Sequence, residues 1–228
     1  MKSLHALGAH IAAFGFKPKY VVMFVVRVAI QLSMVVSLAL DRLLLPGLTR
    51  TTLDRPIFLI GHLRSGTTFL HRFLLRSCPE LRGLLMWEML CPSVIGRWLT
   101  RPMRSWLGRV SLDAVYDPAI HETGLLTAET DDIALALRFN DGLLSWIYND
   151  AWTEPPSETA VRAEVRSASR SRAFPAYLRG VYQRVAWRGP NRILSKSFYG
   201  LFCVDHIREL FPGARLLLLI REIGRAHV

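Results

Sequence analysis

Residues 55–75 read RPIFLIGHLRSGTTFLHRFLL, and this stretch decides the fold. Positions 57–60 form a short apolar run after a proline, which predicts a buried parallel strand. Gly61 begins a turn, and from Thr67 onward the apolar residues recur at helical spacing. A strand, a glycine-rich loop and a helix in this order form the arrangement in which backbone N–H groups and a helix N-terminus hold a phosphate group.

The loop has the glycine spacing of a nucleotide-binding P-loop, because four residues separate Gly61 from Gly66 and hydroxyl residues follow. It lacks the lysine of a Walker A loop, since Thr67 stands at that position, and its cation comes earlier, at Arg64. A nucleoside triphosphatase uses the missing lysine, together with Mg²⁺, on the β- and γ-phosphates. The loop therefore favours a 5′-phosphate that carries a less charged leaving partner.

The stretch resembles the loop that binds the phosphosulfate of 3′-phosphoadenosine 5′-phosphosulfate (PAPS) in the sulfotransferase superfamily. The similarity is greatest to the branch with an Arg-Ser-Gly-Thr-Thr loop, which includes tyrosylprotein sulfotransferases and many bacterial-type sulfotransferases. The sequence departs from many members at Leu63, where they carry proline. The resemblance implies that the 5′-phosphate and sulfonate of PAPS are held by Arg64, Ser65, Gly66, Thr67 and Thr68.

A second informative stretch, residues 191–220, reads NRILSKSFYGLFCVDHIRELFPGARLLLLI. It predicts a strand at 192–194, a helix at 200–210 and a fully buried strand at 215–220, joined as a crossover in a parallel sheet. Ligands of such sheets lie at the carboxyl ends of the strands, which places Lys196, Ser197 and Arg221 at one edge, on neighbouring strands. The family resemblance implies that Lys196 stabilises the leaving oxygen, and that Ser197 and Arg221 bind the donor, Arg221 at its 3′-phosphate. We expect Arg64 of the loop to be the second electrostatic stabiliser of the reaction.

Sulfuryl transfer to a hydroxyl group also needs a base that takes the proton of the acceptor. The resemblance makes Glu88, in the segment after the loop helix, the first choice; a surface or helix-capping glutamate is the alternative. His121 is the second choice. The acidic cluster at 129–132 predicts a helix start, with negative charge at the positive end of the helix dipole, and we expect its role to be structural.

Residues 20–40 read YVVMFVVRVAIQLSMVVSLAL, about as many residues as a membrane-spanning helix needs. Arg27 interrupts the run, and on a helical wheel it shares one side with Gln31, Ser37 and Asp41, which suggests an amphipathic helix. Three alternatives stay open: a spanning anchor, a helix in the membrane interface, and a helix packed on the catalytic domain. We expect a membrane-associated or cytoplasmic protein.

The net charge of +11 fits a polyanionic ligand, an anionic membrane surface or nucleic acid. Arg162, Arg166 and Arg170 would line one side of a helix that begins near residue 157, but no aromatic residues alternate with them. Such a stripe is typical of a solvated face, so we expect no nucleic-acid partner. No set of histidine, cysteine and acidic residues has ligand spacing, and sulfuryl transfer does not require a metal, so none is expected.

The sequence thus predicts a three-layer α/β domain of P-loop type with a central parallel sheet, preceded by a hydrophobic helix. We expect residues 1–52 to form the membrane-associated helix and connector, and 53–228 an incomplete sulfotransferase domain. Related proteins continue after Arg221 with an Asp-Pro turn and a helix, whereas EIGRAHV follows here, so we expect 222–228 to be an artefactual tail. The predicted reaction is transfer of a sulfuryl group from PAPS to a hydroxyl or amine acceptor. The alternatives are a P-loop kinase or nucleoside triphosphatase, and a non-catalytic membrane-bound adaptor.

Overall fold

The computed structural model describes residues 2–62, 65–110, 123–139 and 171–221. Two helices come first, and a parallel sheet with its helices follows. The helices are α1 (Lys2–Phe14), α2 (Pro18–Leu44), α3 (Thr67–Ser77), α4 (Met86–Leu90), α5 (Val94–Leu99), α6 (Arg104–Leu107), α7 (Asp132–Phe139), α8 (Ala173–Val185) and α9 (Val204–Leu210). The strands are β1 (Ile57–Gly61), β2 (Leu81–Arg82), β3 (Arg192–Ser197) and β4 (Arg215–Leu219).

The four strands form one parallel sheet in the order β2-β3-β1-β4. Phe58 is buried in a cluster with α8 and α9, where its ring lies 6.3 Å from that of Tyr182 and 5.0 Å from that of Phe211. Leu59 is buried outside that cluster, because successive side chains of a strand point to opposite faces. Helix α3 packs against β1 and β3. The predicted α/β fold with a central parallel sheet is confirmed.

The prediction for the last strand is wrong in two respects. We expected residues 215–220 to be fully buried, but Leu217, Leu218 and Ile220 are 41%, 60% and 79% exposed. The reason is that β4 is a lateral edge strand whose main contacts among the described elements are with β1, so that no described helix packs closely over its faces. We also expected Lys196 and Arg221 to follow neighbouring strands, but β1 lies between β3 and β4.

Helix α2 packs on the rest of the protein through its polar side. Arg27 donates from Nη2 to the carbonyl oxygen of Ala136 (3.3 Å), and Gln31 donates from Nε2 to that of Leu137 (3.1 Å). These carbonyl groups belong to the last turn of α7, where helix carbonyls have no partner within the helix. The predicted amphipathic character of α2 is thereby confirmed, with its polar side facing the protein.

Asp41 fixes the C-terminal part of α2. Its side chain is fully buried and accepts hydrogen bonds from Arg184 Nε (2.8 Å) and Ser93 Oγ (2.8 Å). It also accepts from the backbone N–H groups of Val94 (2.9 Å) and Ile95 (3.1 Å), which start α5. One carboxylate therefore joins α2, the N-terminus of α5 and α8.

The opposite side of α2 is apolar and exposed. Tyr20, Met34 and Asp41 are its buried residues. By length and composition α2 could cross a membrane, although core helices and signal sequences pass the same test. The large hydrophobic residues exposed on α2 are Val21, Val22, Met23, Val25, Val26, Leu32, Val35, Val36, Leu40, Leu43 and Leu44.

We predict that Asp41→Ala destabilises the protein strongly. The substitution leaves the Arg184 guanidinium, whose side chain is only 10% exposed, without its carboxylate. Loss of one partner of a buried ion pair costs about 3–5 kcal/mol. Urea unfolding should therefore give a lower free energy of unfolding by that amount, while Asp205→Ala at an exposed position should change it little. Equal effects of the two substitutions would contradict the anchoring role of Asp41.

Candidate functional site

The loop between β1 and α3 is closed by local hydrogen bonds and by two glycines. Ser65 donates from Oγ to the carbonyl oxygen of His62 (2.6 Å), and its backbone N–H reaches the same oxygen (3.3 Å). Gly66 has a φ of 90°, which is favourable only for glycine. At Gly61 a Cβ atom would lie 2.7 Å from Thr67 Cγ2, so a side chain does not fit there. These features fit the predicted loop, while Leu63 and Arg64 lie outside the described residues, so the role of the loop residues stays a prediction.

The loop ends at the N-terminus of α3. Gly66 is the N-cap residue, and buried Thr67 and half-buried Thr68 occupy the first turn. The first N–H groups of a helix have no intrahelical partner and carry a partial positive charge. The start of α3 can therefore bind an anion, provided that other groups complete the site.

Lys196 joins the far end of β3 to this loop. Its ammonium group donates from Nζ to Thr68 Oγ1 (3.3 Å), and the residue is only 3% exposed. Burial lowers the pKa of Lys196, while the nearby carboxylates of Glu129 and Asp131 act in the opposite direction. The structure thus places the predicted strand-end cation against the predicted phosphate loop.

Ser197 is the last residue of β3, and its side chain bonds to the turn that follows. Its hydroxyl donates to Asp132 Oδ1 (3.1 Å) and accepts from the N–H group of Gly200 (3.1 Å). Asp132 also accepts from the N–H groups of Phe198 (2.8 Å) and Tyr199 (2.9 Å). The Ser197 hydroxyl therefore has structural partners, and its role in donor binding stays a prediction.

Glu88 is buried and surrounded by cations. Its Oε1 atom lies 2.6 Å from Arg82 Nη2 and 3.2 Å from Arg97 Nη1. Its Oε2 atom accepts from the N–H group of Leu85 (3.1 Å), which starts α4. These partners belong neither to the phosphate loop nor to the end of β3. The structure gives Glu88 the contacts of a helix-capping, ion-paired residue, and its role as a base stays a prediction.

Arg221 is exposed and follows β4. It lies at the carboxyl ends of the strands, as the loop does, because Leu219 at the end of β4 is in register with Gly61 at the end of β1. Its role at the 3′-phosphate stays a prediction. Several other predictions lie outside the described residues: His121 as second choice of base, the arginine stripe 162–170 and the tail 222–228.

The acidic cluster contributes more to the site than the sequence indicated. Asp131 is fully buried and accepts hydrogen bonds at Oδ2 from Tyr182 (2.5 Å) and Ser195 (2.5 Å). Burial raises the pKa of Asp131 to about 7. Glu129 is 4% exposed, and its Oε1 atom lies 3.3 Å from Arg72 Nη2 on α3. Asp131 and Asp132 are therefore paired with the end of β3, a long-range contact for which the helix-start pattern of the sequence gave no signal.

His71 is a second residue that the sequence analysis missed. It is 1% exposed on α3, and its Nε2 atom lies 3.3 Å from the carbonyl oxygen of Leu194 on β3. Burial, and after it the charge of Lys196, lowers the pKa of His71 to about 4. The imidazole is therefore neutral at neutral pH, and it packs behind the loop helix as an uncharged group.

Comparisons with known proteins agree with this geometry. A model described as the sulfotransferase family matches residues 56–227. The structure is similar to that of sulfotransferase STF1 from Mycobacterium tuberculosis, with 20% identity and a TM-score of 0.62 over 96% of this chain and 61% of that one. It is also similar to sulfotransferase STF9 from Mycobacterium avium, with 18% identity and a TM-score of 0.54 over 83% of this chain and 48% of that one. At these identities the likeness concerns the fold. A search of curated proteins gave no match.

We predict that Asp131→Asn removes a pH dependence of stability. The folded protein holds a proton on Asp131 up to about pH 7, whereas the ordinary pKa of this group is 3.8. The resulting stabilisation is present below 3.8 and is lost as the pH rises through 7, with a size of a few kcal/mol, since one pKa unit corresponds to about 1.36 kcal/mol.

Urea unfolding of both proteins across about pH 4 to 8 tests this expectation. The difference between the wild type and Asp131→Asn should change with pH in that window, because the contribution of His71 is common to both proteins. Asp205→Asn, at an exposed position, is the matched control. A difference that is constant with pH would contradict the assignment.

Proposed function

Because the chain belongs to the sulfotransferase family, we propose that the protein transfers a sulfuryl group from PAPS to a hydroxyl or amine acceptor. The observation that carries the proposal is the 3.3 Å contact between Lys196 Nζ and Thr68 Oγ1. It brings a buried cation from the end of one strand to the first turn of the loop helix. A negatively charged group bound at that helix start would therefore meet the Lys196 ammonium.

The donor would bind across the carboxyl edge of the sheet. Its 5′-phosphate and sulfonate would accept hydrogen bonds from the loop, with Arg64 supplying a further positive charge. Ser197 and Arg221 would bind the donor beyond the loop, with Arg221 at the 3′-phosphate. The residues that would hold the phosphosulfate group are Arg64, Ser65, Gly66, Thr67 and Thr68.

In the reaction an acceptor oxygen attacks sulfur, and the bond from sulfur to the bridging oxygen of the phosphosulfate breaks. Negative charge develops on that bridging oxygen as it leaves. Lys196 would stabilise this charge, and the burial of the residue strengthens the interaction because little water screens it. Adenosine 3′,5′-bisphosphate is the other product.

Two alternative functions give different binding results. A kinase or nucleoside triphosphatase should prefer ATP with Mg²⁺, although Thr67 at the Walker lysine position speaks against it. A non-catalytic adaptor should bind adenosine 3′,5′-bisphosphate without turnover of PAPS. Calorimetric titration of the full-length protein with ATP–Mg²⁺ and with adenosine 3′,5′-bisphosphate distinguishes a kinase or nucleoside triphosphatase from a sulfotransferase. A turnover assay with PAPS distinguishes a non-catalytic adaptor from an active enzyme.

We predict that Lys196→Ala lowers turnover of PAPS by about 10²–10³-fold, as expected when one preorganised donor to a developing oxyanion is removed. Release of adenosine 3′,5′-bisphosphate measures the turnover. Arg179→Ala removes a positive charge at an exposed position of α8 and serves as the control. Comparable turnover in the wild type and in a folded Lys196→Ala variant would rule out the proposed role of Lys196.

We further propose that α2 lies in the plane of an anionic membrane surface and keeps its polar side on the protein. Its exposed apolar side supports this arrangement. Exposed cations lie near both ends of the helix, Lys17 and Lys19 at its start and Arg42 and Arg50 around its end. Helix α5, which contacts α2, presents Trp98 with 68% of its surface exposed. Tryptophan is enriched at membrane interfaces.

We predict that the double substitution Val22→Asp and Val26→Asp reduces vesicle binding at least tenfold, because each valine is exposed and each aspartate must be kept out of the apolar layer. Flotation with vesicles of phosphatidylcholine and phosphatidylserine measures the binding, with Ala176→Asp as a control for the added charge. Vesicles of phosphatidylcholine alone should bind more weakly. Alkaline carbonate should release the protein from membranes, and retention would point to a spanning helix instead.

A further inference from the structure

Glu129 lies beside the proposed reaction centre. It precedes Thr130, whose Oγ1 atom donates to the carbonyl oxygen of Lys196 (3.1 Å), and its own N–H group donates to the carbonyl oxygen of Leu84 (3.0 Å). Arg72, which lies one turn after Thr68 on α3, forms an ion pair with Glu129. The charge of Glu129 also acts on Lys196 and raises its pKa. These contacts tie Glu129 both to α3, where Thr68 contacts Lys196, and to the end of β3 through its neighbour Thr130.

The two oxygens of Glu129 differ in their surroundings. Oε1 faces Arg72 Nη2 at 3.3 Å, which fixes the orientation of the carboxylate. Oε2 accepts no hydrogen bond from the residues that the structure describes. It is also not one of the fully buried polar atoms that lack a hydrogen-bond partner. The side chain is 5% exposed, so a small part of the carboxylate remains accessible. One oxygen is therefore held in place while the other can accept a proton.

Glu88 offers no such oxygen. Its Oε1 atom is shared by Arg82 and Arg97, and its Oε2 atom caps α4 through the N–H group of Leu85. Both oxygens are thus occupied by contacts that stabilise the fold. A base needs an oxygen that is free to take the proton of the acceptor. Of these two carboxylates, only Glu129 has an oxygen without a partner among the described residues.

We propose that Glu129 is the general base of the reaction, an inference that rests on the proposed sulfuryl transfer. The acceptor hydroxyl gives its proton to Glu129 Oε2 as its oxygen forms the new bond to sulfur. The electron pair of the broken bond stays on the bridging oxygen, which leaves with adenosine 3′,5′-bisphosphate next to Lys196. The acid that forms on Glu129 returns its proton to water after product release, so atoms and charges balance.

The test compares Glu129→Gln with the competing substitution Glu88→Gln in the full-length protein. Turnover is the release of adenosine 3′,5′-bisphosphate from PAPS with 4-nitrophenol, octyl glucoside or water as acceptor. Glutamine keeps the size of Glu129 and an oxygen for Arg72 but cannot take a proton, so kcat should fall by about 10²–10⁴-fold. Binding of adenosine 3′,5′-bisphosphate should change by less than about threefold. The matched control is Glu209→Gln on α9, whose side chain is 53% exposed.

The pH profile separates catalysis from a structural role. The acidic limb of kcat in the wild type should be absent in Glu129→Gln, while Glu129→Asp should keep the limb with reduced kcat. Glu88→Gln should lower the unfolding temperature and reduce kcat less than tenfold. An active wild type whose Glu129→Gln variant keeps kcat within threefold overturns this inference alone. A wild type that neither binds adenosine 3′,5′-bisphosphate nor turns over PAPS overturns the proposed function, and this inference with it.

Discussion

The carbonyl group of Lys196 is the point on which the candidate site depends. It accepts hydrogen bonds from the N–H group of Asp131 (2.8 Å) and from Thr130 Oγ1 (3.1 Å), which tie the acidic segment 129–132 to the end of β3. On either side of it, Ser195 donates to Asp131 and Ser197 donates to Asp132. The backbone on both sides of Lys196 is therefore fixed. Its side chain alone is left to reach the loop.

This brace is built from groups that are expensive to bury. Asp131 and Asp132 are 1% and 4% exposed, and isolated buried carboxylates are strongly unfavourable. Asp132 is compensated by backbone N–H groups and hydroxyls, whereas Asp131 has an Oδ1 atom without a partner among the described residues. The raised pKa of Asp131 follows from that burial. Burial of Asp131 therefore lowers the stability of the fold, while its hydrogen bonds hold the end of β3 rigid. This is the arrangement expected next to a reaction centre.

Local sequence patterns predicted those parts of the site whose structure is set by residues adjacent in the chain. The strand, the loop with Gly61 and Gly66, and helix α3 follow from apolar periodicity and glycine spacing alone. The sequence could not predict that Glu129 acts on Lys196, because 66 positions separate its neighbour Thr130 from the carbonyl to which Thr130 donates. Nor could it predict the exposure of β4, since an apolar run looks the same in a central strand and at an edge.

Charge and hydropathy patterns of the N-terminal helix likewise did not predict its long-range contacts. From the sequence, Arg27 counted against a spanning helix but gave no position for the polar side. In the structure, Arg27 and Gln31 cap the last carbonyl groups of α7, and Asp41 pairs with Arg184. A spanning arrangement would break these contacts, at about 3–5 kcal/mol for the buried ion pair, and would bring Arg27 into the bilayer at about 2.5–3.5 kcal/mol more. An in-plane arrangement keeps every one of these contacts and still places the apolar side of α2 against lipid.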